Sequence, residues 1–185
     1  MADTPWRPEF IDALRLFARI SEAMHQQGFP RPILVGGAAA EFYSTSAVTT
    51  GDFDICTTRQ SELEEEMRRQ GFVRPSGPGA MLKGWVHPEL GLGFEVVAEV
   101  PMDGGVDAAH IRLVRPIGET ALFRVISVED LIADRMGQFA SGTAPDRFEQ
   151  ARILLQLHPD AEMDYLDRRI REESMGDYGV EDLLR

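Results

Sequence analysis

The sequence has a single cysteine, Cys56, among 185 residues. One thiol excludes intramolecular disulfides and a zinc site built from several cysteines, and it is typical of a reducing compartment. The sequence has no run of about 18 apolar residues, and its N-terminus lacks the basic and apolar segments of a signal peptide. We therefore expect a soluble, cytoplasmic protein that has no membrane partner.

Positive charge is also scarce. The 31 acidic residues outnumber the 19 basic ones, which gives a formal net charge of −12 and a pI of about 4.7. A surface of this sign repels a phosphate backbone, so charge-driven binding of nucleic acid is disfavoured except at a local basic groove. The hydrophobic fraction of 43% is nevertheless that of a folded domain, and the length suits one compact unit.

Hydrophobic periodicity divides the chain into two parts. As far as Ile126, helix and strand signals alternate, beginning with an amphipathic helix over Pro8–Gln26. From Ser127 onward the pattern is helical only. We predict an α/β (α+β) fold in which residues 1–126 form a mixed β-sheet core with flanking helices. Residues 127–185 are predicted to form a C-terminal helical region that packs on this core as part of a single compact unit.

Capping and turn residues predict where several elements begin. Ser61 is the predicted cap of a helix, and Pro145 is a predicted first-turn residue of another. The segment Ser127-Val128-Glu129-Asp130 resembles a capping box in which Asp replaces the usual Glu. Short strands are predicted over Phe72-Val73-Arg74 and within Met81–His87.

Two short motifs in the predicted core carry residues suited to phosphate chemistry. The strand Ile33–Val35 runs directly into Gly36 and Gly37, and a helix follows. About 15 residues later, an extended segment places Asp52 and Asp54 on one face and apolar side chains on the other. Glycines allow the backbone to approach a triphosphate closely, and the N–H groups at the start of a helix bind anions.

Carboxylates two residues apart on a strand can hold a divalent cation together. Mg²⁺ (or Mn²⁺) prefers hard oxygen ligands and keeps waters and phosphate oxygens in its coordination shell. Such ions stabilise both the attacking and the leaving oxygen of a phosphoryl transfer. Asp52, Asp54 and the glycine pair together therefore predict a magnesium-dependent site for a nucleoside triphosphate.

A third carboxylate from a neighbouring strand would complete this site. The segment Leu92–Val100 is predicted as a strand whose inner face carries Phe94 and Val100, among others. Glu95 and Glu99 share the opposite face in this prediction. Both are therefore candidates for the third metal ligand.

These motifs resemble those of a known family. The segments Leu34-Val35-Gly36-Gly37-Ala38-Ala39-Ala40 and Thr50-Gly51-Asp52-Phe53-Asp54-Ile55 are similar to the core signature of the polymerase-beta-like nucleotidyltransferase superfamily. The greatest similarity is to small bacterial stand-alone members and to AbiEii-like toxins. The helical segments 126–133 and 144–147 also resemble that family, so the similarity spans roughly Ile33 to Leu155.

The resemblance implies an activity and a set of site residues. A nucleotidyltransferase moves a nucleoside monophosphate from a nucleoside triphosphate to an acceptor hydroxyl and releases pyrophosphate. The implied catalytic metal ligands are Asp52, Asp54 and Glu95. Glu95 is implied because Gly93-Phe94-Glu95-Val96-Val97 resembles the family's apolar strand with an acid in its middle, and Glu99 is the alternative to Glu95. The implied nucleotide-binding residues are Gly36, Gly37, Thr50 and Arg135. The acceptor stays open and could be a small molecule, a protein or an RNA end.

The sequence also departs from the family pattern. The segment Ser46–Thr49 lacks the basic residue that often precedes the threonine, Arg135 replaces a lysine, and Gln150 replaces an acid. Arg135 and Asp146 fit an ion pair between helices equally well. Lys83, the single lysine, is a further candidate for a phosphate contact, although an exposed lysine is the simpler interpretation.

Two other functions fit the same motifs. One is a non-catalytic nucleotide-sensing or partner-binding module of the toxin–antitoxin type. In that case the acidic tail over 160–185, with nine acidic and four basic residues and a net charge of 4 − 9 = −5, would engage a basic protein partner. The other is a magnesium-dependent phosphohydrolase, which would release inorganic phosphate instead of pyrophosphate.

Overall fold

Six strands form one mixed sheet in the computed structural model, which describes residues 5–75 and 84–185. The strands are β1 (Ile33–Val35), β2 (Asp52–Cys56), β3 (Trp85–Val86), β4 (Gly93–Ala98), β5 (Arg112–Val114) and β6 (Phe123–Val125). Their order across the sheet is β3-β4-β2-β1-β6-β5. Strand β2 runs parallel to β4 and antiparallel to β1, and β1 runs parallel to β6. Strand β2 therefore has a neighbour on each side.

Helices flank the sheet and make up the C-terminal part of the described chain. They are α1 (Pro8–Gln26), α2 (Gly36–Tyr43), α3 (Gln60–Arg69), α4 (Val128–Ala140), α5 (Arg147–Leu157), α6 (Met163–Glu173) and α7 (Val180–Leu183). Helix α4 packs against α5 and α6 and also contacts α2. The predicted mixed α/β fold class is confirmed. Among the residues described, no helix combines the length and apolar composition that a membrane crossing requires.

Aromatic packing between α1 and the sheet builds the core on one side of β2. Phe53 of β2 stacks on Phe94 of β4 with 4.6 Å between the ring centroids, and Phe10 and Phe17 of α1 cover both strands. All four rings are fully buried. Because strand side chains alternate, this packing directs the residues on either side of Phe53 to the opposite face of the sheet.

A buried ion pair fixes α6 against α4. The Asp130 carboxylate is fully buried and accepts hydrogen bonds from Arg169 Nε (2.8 Å), the Tyr165 hydroxyl (3.0 Å) and Ser127 Oγ (2.7 Å). Ser127 Oγ also accepts from the Asp130 backbone N–H and caps α4. The predicted capping box is therefore only half formed, because the Asp130 carboxylate is used between helices and not on the Ser127 backbone.

Several predicted boundaries are wrong. Helix α3 begins at Gln60, one residue before Ser61, and Arg59 at its N-cap makes no side-chain cap. Pro145 lies before the N-cap of α5, which starts at Arg147. The predicted strand at 72–74 is a single bridge between Val73 and Val86.

Other predictions fall at the edge of the described chain or in its tail. The segment 81–83 of the predicted Met81–His87 strand, including Lys83, lies outside the described residues. The short tail helix α7 packs against α5 and α6, with Leu183 buried. The Val180 backbone N–H donates to Asp167, and Arg171 pairs with Glu181, so these two tail acids are partnered within the chain.

Removing the Phe53 ring is expected to destabilise the fold strongly. The Phe53→Ala substitution leaves a cavity between three aromatic neighbours, and we expect a loss of about 3–5 kcal/mol in the free energy of unfolding, measured by urea denaturation. The matched control, Leu113→Ala on β5, removes a side chain that is 56% exposed and should change stability by less than about 0.5 kcal/mol. Equal effects of the two substitutions would contradict this account of the core.

Candidate active site

Three carboxylates share the face of the sheet opposite the aromatic core. Asp54 of β2 is aligned with Glu95 of β4, and Asp52 is aligned with Gly93. Neighbouring strands lie about 4.8 Å apart, and aligned residues of parallel strands point to the same side. Asp52 is exposed, whereas Asp54 and Glu95 are half-buried. The sheet thus brings the three predicted metal ligands onto adjacent positions of one face.

The glycine pair lies against this carboxylate face. The Gly37 backbone N–H donates a hydrogen bond of 3.2 Å to Asp54 Oδ2. A Cβ atom on Gly36 would overlap the same carboxylate, and Gly36 also has a φ of +59°, which favours glycine. A Cβ atom on Gly37 would overlap Thr50 Oγ1. The close backbone approach predicted for the glycines is therefore made to Asp54 and Thr50, and α2 begins at Gly36 and not after the pair.

A buried carboxylate holds the segment that leads into β2. Glu41 of α2 is fully buried and accepts hydrogen bonds from Arg7 Nε (2.6 Å), Ser46 Oγ (2.9 Å) and the Thr50 backbone N–H (2.7 Å). Arg7 Nη2 also donates to the Thr50 carbonyl oxygen at 2.6 Å. The hydrogen bond to Glu41 raises the pKa of Arg7. This network fixes Thr50, whose hydroxyl donates to the Asp52 carbonyl oxygen.

Neither Glu41 nor Arg7 was predicted from the sequence to lie at the site. A guanidinium group does reach Thr50, although the residues just before Thr50 include no basic side chain, because Arg7 comes from the N-terminal end of α1. The available signal was the charged residue within the otherwise apolar segment 38–43, where an acid requires a partner if it is buried.

Arg135 lies behind Asp54 on α4. Its side chain is only 3% exposed and donates to Asp134 Oδ2 (3.0 Å) and Gln138 Oε1 (3.4 Å). Its Nε atom has no hydrogen-bond partner among the described residues. Burial lowers the pKa of Arg135, and nearby carboxylates, Asp54 among them, oppose this effect. Asp146 pairs with Arg147, so the alternative of an Arg135–Asp146 ion pair is not formed.

Burial and neighbouring charge both act on Asp54. Burial is the largest cause that raises the Asp54 pKa, and the charges of Asp52 and Asp134 raise it further. The Gly37 N–H and the Arg135 charge act in the opposite direction. Asp54 therefore lies where negative charge is incompletely balanced, and a cation would be favoured beside it.

A cavity of about 300 Å³ opens beside Asp54 and Gly36, between the sheet and α4. Asp134 and Gln138, spaced one helical turn apart on α4, line its polar part. Cys56 lines its apolar part, and burial raises the pKa of this thiol to about 11, so it forms a neutral, apolar wall. Asp134 and Gln138 were not predicted as site residues.

Glu95 and Glu99 have different surroundings. The register of β2 against β4 shifts between Val96 and Ala98, so that Val97 is an extra residue in β4 and is 50% exposed. The predicted alternation therefore ends at Val97: Glu99 lies beyond β4 and lines a separate hollow. The prediction that Glu99 shares the face of Glu95 is wrong, and Val100, predicted on the inner face, is 44% exposed.

The carboxylates share a face without converging on one point. Asp54 is turned towards the Gly37 N–H, and Asp52 lies over Gly93, where a Cβ atom would overlap it. In the described parts of the chain, no three His, Cys, Asp or Glu side chains are close enough together to hold a metal ion. Carboxylate oxygens are nevertheless the donor type that a hard divalent cation prefers.

Comparison with solved structures supports the fold assignment. The structure is similar to a crystal structure of an antigenic nucleotidyltransferase-like protein from Paracoccidioides brasiliensis. The match covers 97% of this chain and 94% of that protein's chain, with a TM-score of 0.61 and 12% sequence identity. At this identity the similarity establishes a nucleotidyltransferase-like fold only. No family model matches the sequence, and no curated protein matches it significantly.

Neutralising Asp54 is expected to stabilise the protein in a pH-dependent way. Because its pKa is raised in the folded state, ionisation of Asp54 opposes folding as the pH rises through the unfolded and then the folded pKa. Asp54→Asn should therefore raise the thermal unfolding midpoint near neutral pH in the presence of EDTA. The difference from the wild type should disappear below about pH 3, where the Asp54 carboxyl is protonated in both states.

The control for this measurement is Asp177→Asn. Asp177 is exposed, and its side chain has no ion-pair or hydrogen-bond partner among the described residues. Its substitution should leave the midpoint nearly unchanged at all pH values. A lower midpoint for Asp54→Asn than for the wild type at neutral pH would contradict the electrostatic account of the site.

Proposed function

We propose that the chain is a metal-dependent nucleotidyltransferase, which moves a nucleoside monophosphate from a nucleoside triphosphate to an acceptor hydroxyl. The observation that carries the proposal is the register of β2 against β4, which aligns Asp54 with Glu95 and leaves Asp52 two residues away on the same face. This face adjoins the glycine pair at the start of α2. The nucleotidyltransferase-like fold supports the proposal at the level of architecture.

Asp52, Asp54 and Glu95 would hold Mg²⁺ or Mn²⁺, since carboxylate oxygens are the ligands these ions prefer. When bound, the ion would offset the charge of the triphosphate and of the transferring phosphate group. Movement of Asp54 away from Gly37 would free a backbone N–H at the start of α2 for a phosphate oxygen. The same carboxylate thus keeps that donor occupied until the substrate complex forms.

The reaction can be assigned to groups of this chain. Gly36 and Gly37 would let the phosphates approach the backbone. Glu95 would accept the proton of the acceptor hydroxyl as its oxygen attacks the α-phosphorus. A new oxygen–phosphorus bond then forms, the bond from the α-phosphorus to the bridging oxygen breaks, and pyrophosphate leaves.

Thr50 and Arg135 would have supporting roles in nucleotide binding. Thr50 Oγ1 lies beside Gly37 and is held there through Glu41. Arg135 would place a positive charge behind Asp54, where its buried and partly unpartnered guanidinium acts on the carboxylate face. Its fixed charge would favour a bound polyanion more than an exposed lysine would, because screening by solvent is weaker in the interior.

The catalytic assignment is tested by a matched pair of glutamate variants. Glu95→Gln removes the carboxylate aligned with Asp54 and should lower magnesium-dependent release of pyrophosphate from nucleoside triphosphates at least about 100-fold. Glu99→Gln removes an equal charge four residues away, outside this face, and should leave the rate nearly unchanged. The double substitution Asp52→Asn with Asp54→Asn should abolish turnover without unfolding the chain.

Other outcomes would favour the other functions. Retained turnover in the double variant, or equal losses from Glu95→Gln and Glu99→Gln, would contradict the assignment. Inorganic phosphate as the product would indicate a phosphohydrolase. Nucleotide binding that is independent of metal, with no turnover in the wild type, would indicate a non-catalytic module of the same fold.

A further inference from the structure

The cavity beside Asp54 contains a second carboxylate to which the proposed reaction assigns no role. Asp134 has a side chain that is 27% exposed, and its Oδ2 accepts hydrogen bonds from Arg135 Nη1 (3.0 Å) and Gln138 Nε2 (2.9 Å). Its Oδ1 accepts none from the described residues. One oxygen of a partly buried carboxylate is therefore available to a ligand.

Neighbouring side chains hold this carboxylate in position. Gln138 Oε1 accepts from Arg147 Nε at 3.0 Å, so Gln138 is itself anchored while its amide N–H group donates to Asp134. Arg135 fixes the same Asp134 oxygen from the buried side. A carboxylate whose orientation is set by several hydrogen-bond partners is preorganised for binding a ligand.

The remaining walls of the cavity are apolar. The apolar side chains that line it are Val35, Val97, Ala98, Pro101, Met102, Ile126 and Leu131. Arg169 Nη2 lies 3.7 Å from Met102 Sδ, and this contact ties the Met102 wall to α6. A volume of about 300 Å³ with these walls suits one small organic molecule that has an apolar body.

The charge of the lining disfavours a polyphosphate that carries no metal ion. Asp54 and Asp134 line the cavity, whereas none of the described lining residues is basic, and Arg135 lies behind them already paired with Asp134. Gly37, on the phosphate side in the proposed function, is not part of its lining, and only Gly36 and Asp54 border both regions. In the proposed function, the cavity would therefore adjoin the reacting centre on the side away from the triphosphate.

We propose that this cavity binds the acceptor, and that the acceptor is a small amine with an apolar body. Its ammonium group pairs with Asp134 Oδ1, its body packs on the apolar walls, and its hydroxyl lies at the Asp54 end. The role of this ligand as acceptor rests on the proposed function, whereas the preference for a cationic, apolar ligand rests on the cavity alone.

The ligand preference is tested with two probes of nearly equal shape. Benzylamine carries a positive charge at neutral pH and benzyl alcohol does not. Calorimetric titration without metal or nucleotide should show that benzylamine binds at least about tenfold more tightly, because a charge-assisted hydrogen bond contributes that much. Asp134→Asn keeps an oxygen that can accept from Arg135. It should reduce the affinity for benzylamine to nearly that for benzyl alcohol. Glu99→Gln should leave both unchanged.

A second variant keeps the test decisive if Asp134→Asn weakens the fold. Val97→Phe fills the cavity from a side chain that is half exposed, so the fold should survive, as thermal unfolding would verify. Both probes should then lose binding. Equal affinities in the wild type, no saturable benzylamine binding, a preference for benzylamine that persists in Asp134→Asn, or benzylamine binding that survives in Val97→Phe would overturn the proposal.

The outcomes separate this proposal from the proposed function. Selective amine binding with no release of pyrophosphate would support the cavity assignment and count against the nucleotidyltransferase. Metal-dependent turnover without selective amine binding would support the nucleotidyltransferase and count against the cavity assignment.

Discussion

The alternation of β2 between core and site is the constraint on which the rest of the structure depends. Phe53 is held between α1 and the Phe94 ring of β4, and this packing commits Asp52 and Asp54 to the other face. A shift of one residue in the register would bury both carboxylates and expose the aromatic ring. The aromatic core therefore determines where charge can be placed. The free energy gained by burying Phe53 offsets the repulsion between the Asp52 and Asp54 carboxylates on the other face.

The carboxylates on that face constrain the residues around them. The close approach of Asp54 to the start of α2 requires glycine at 36 and 37, since any side chain there would overlap Asp54 or Thr50. Arg135 and the Gly37 N–H offset part of the negative charge, and burial together with Asp52 and Asp134 leaves the balance negative. An unbalanced, structured carboxylate face of this kind is typical of a site that receives a cation.

The sequence sufficed for the features that depend on local periodicity. The helix over Pro8–Gln26, the strand Asp52–Cys56 and the two faces of that strand could be predicted because each buries a regular set of apolar residues. The alignment of Asp54 with Glu95 could be anticipated only in part, because a register between distant strands is set by tertiary packing. The bulge at Val97 had no local signal, and for that reason Glu99 was assigned to the wrong face.

Features that depend on long-range polar contacts could not be predicted. Glu41 meets Arg7 across 34 residues, and Asp130 meets Arg169 across 39, so neither pair leaves a spacing pattern in the sequence. Asp134 was overlooked because a single acid on a helix is ordinarily a solvated residue, and only the cavity against β2 and β4 distinguishes it.

Metal-dependent thermal stability tests the central claim most directly, because it asks whether the carboxylate face binds a cation. A ligand that binds only the folded state stabilises it by about 2.7 kcal/mol at a hundredfold excess over its Kd. The account predicts that Mg²⁺ and Mn²⁺ raise the unfolding midpoint of the wild type and leave that of the Asp52→Asn, Asp54→Asn double variant unchanged. Equal shifts in the two proteins, or none in the wild type, would contradict it.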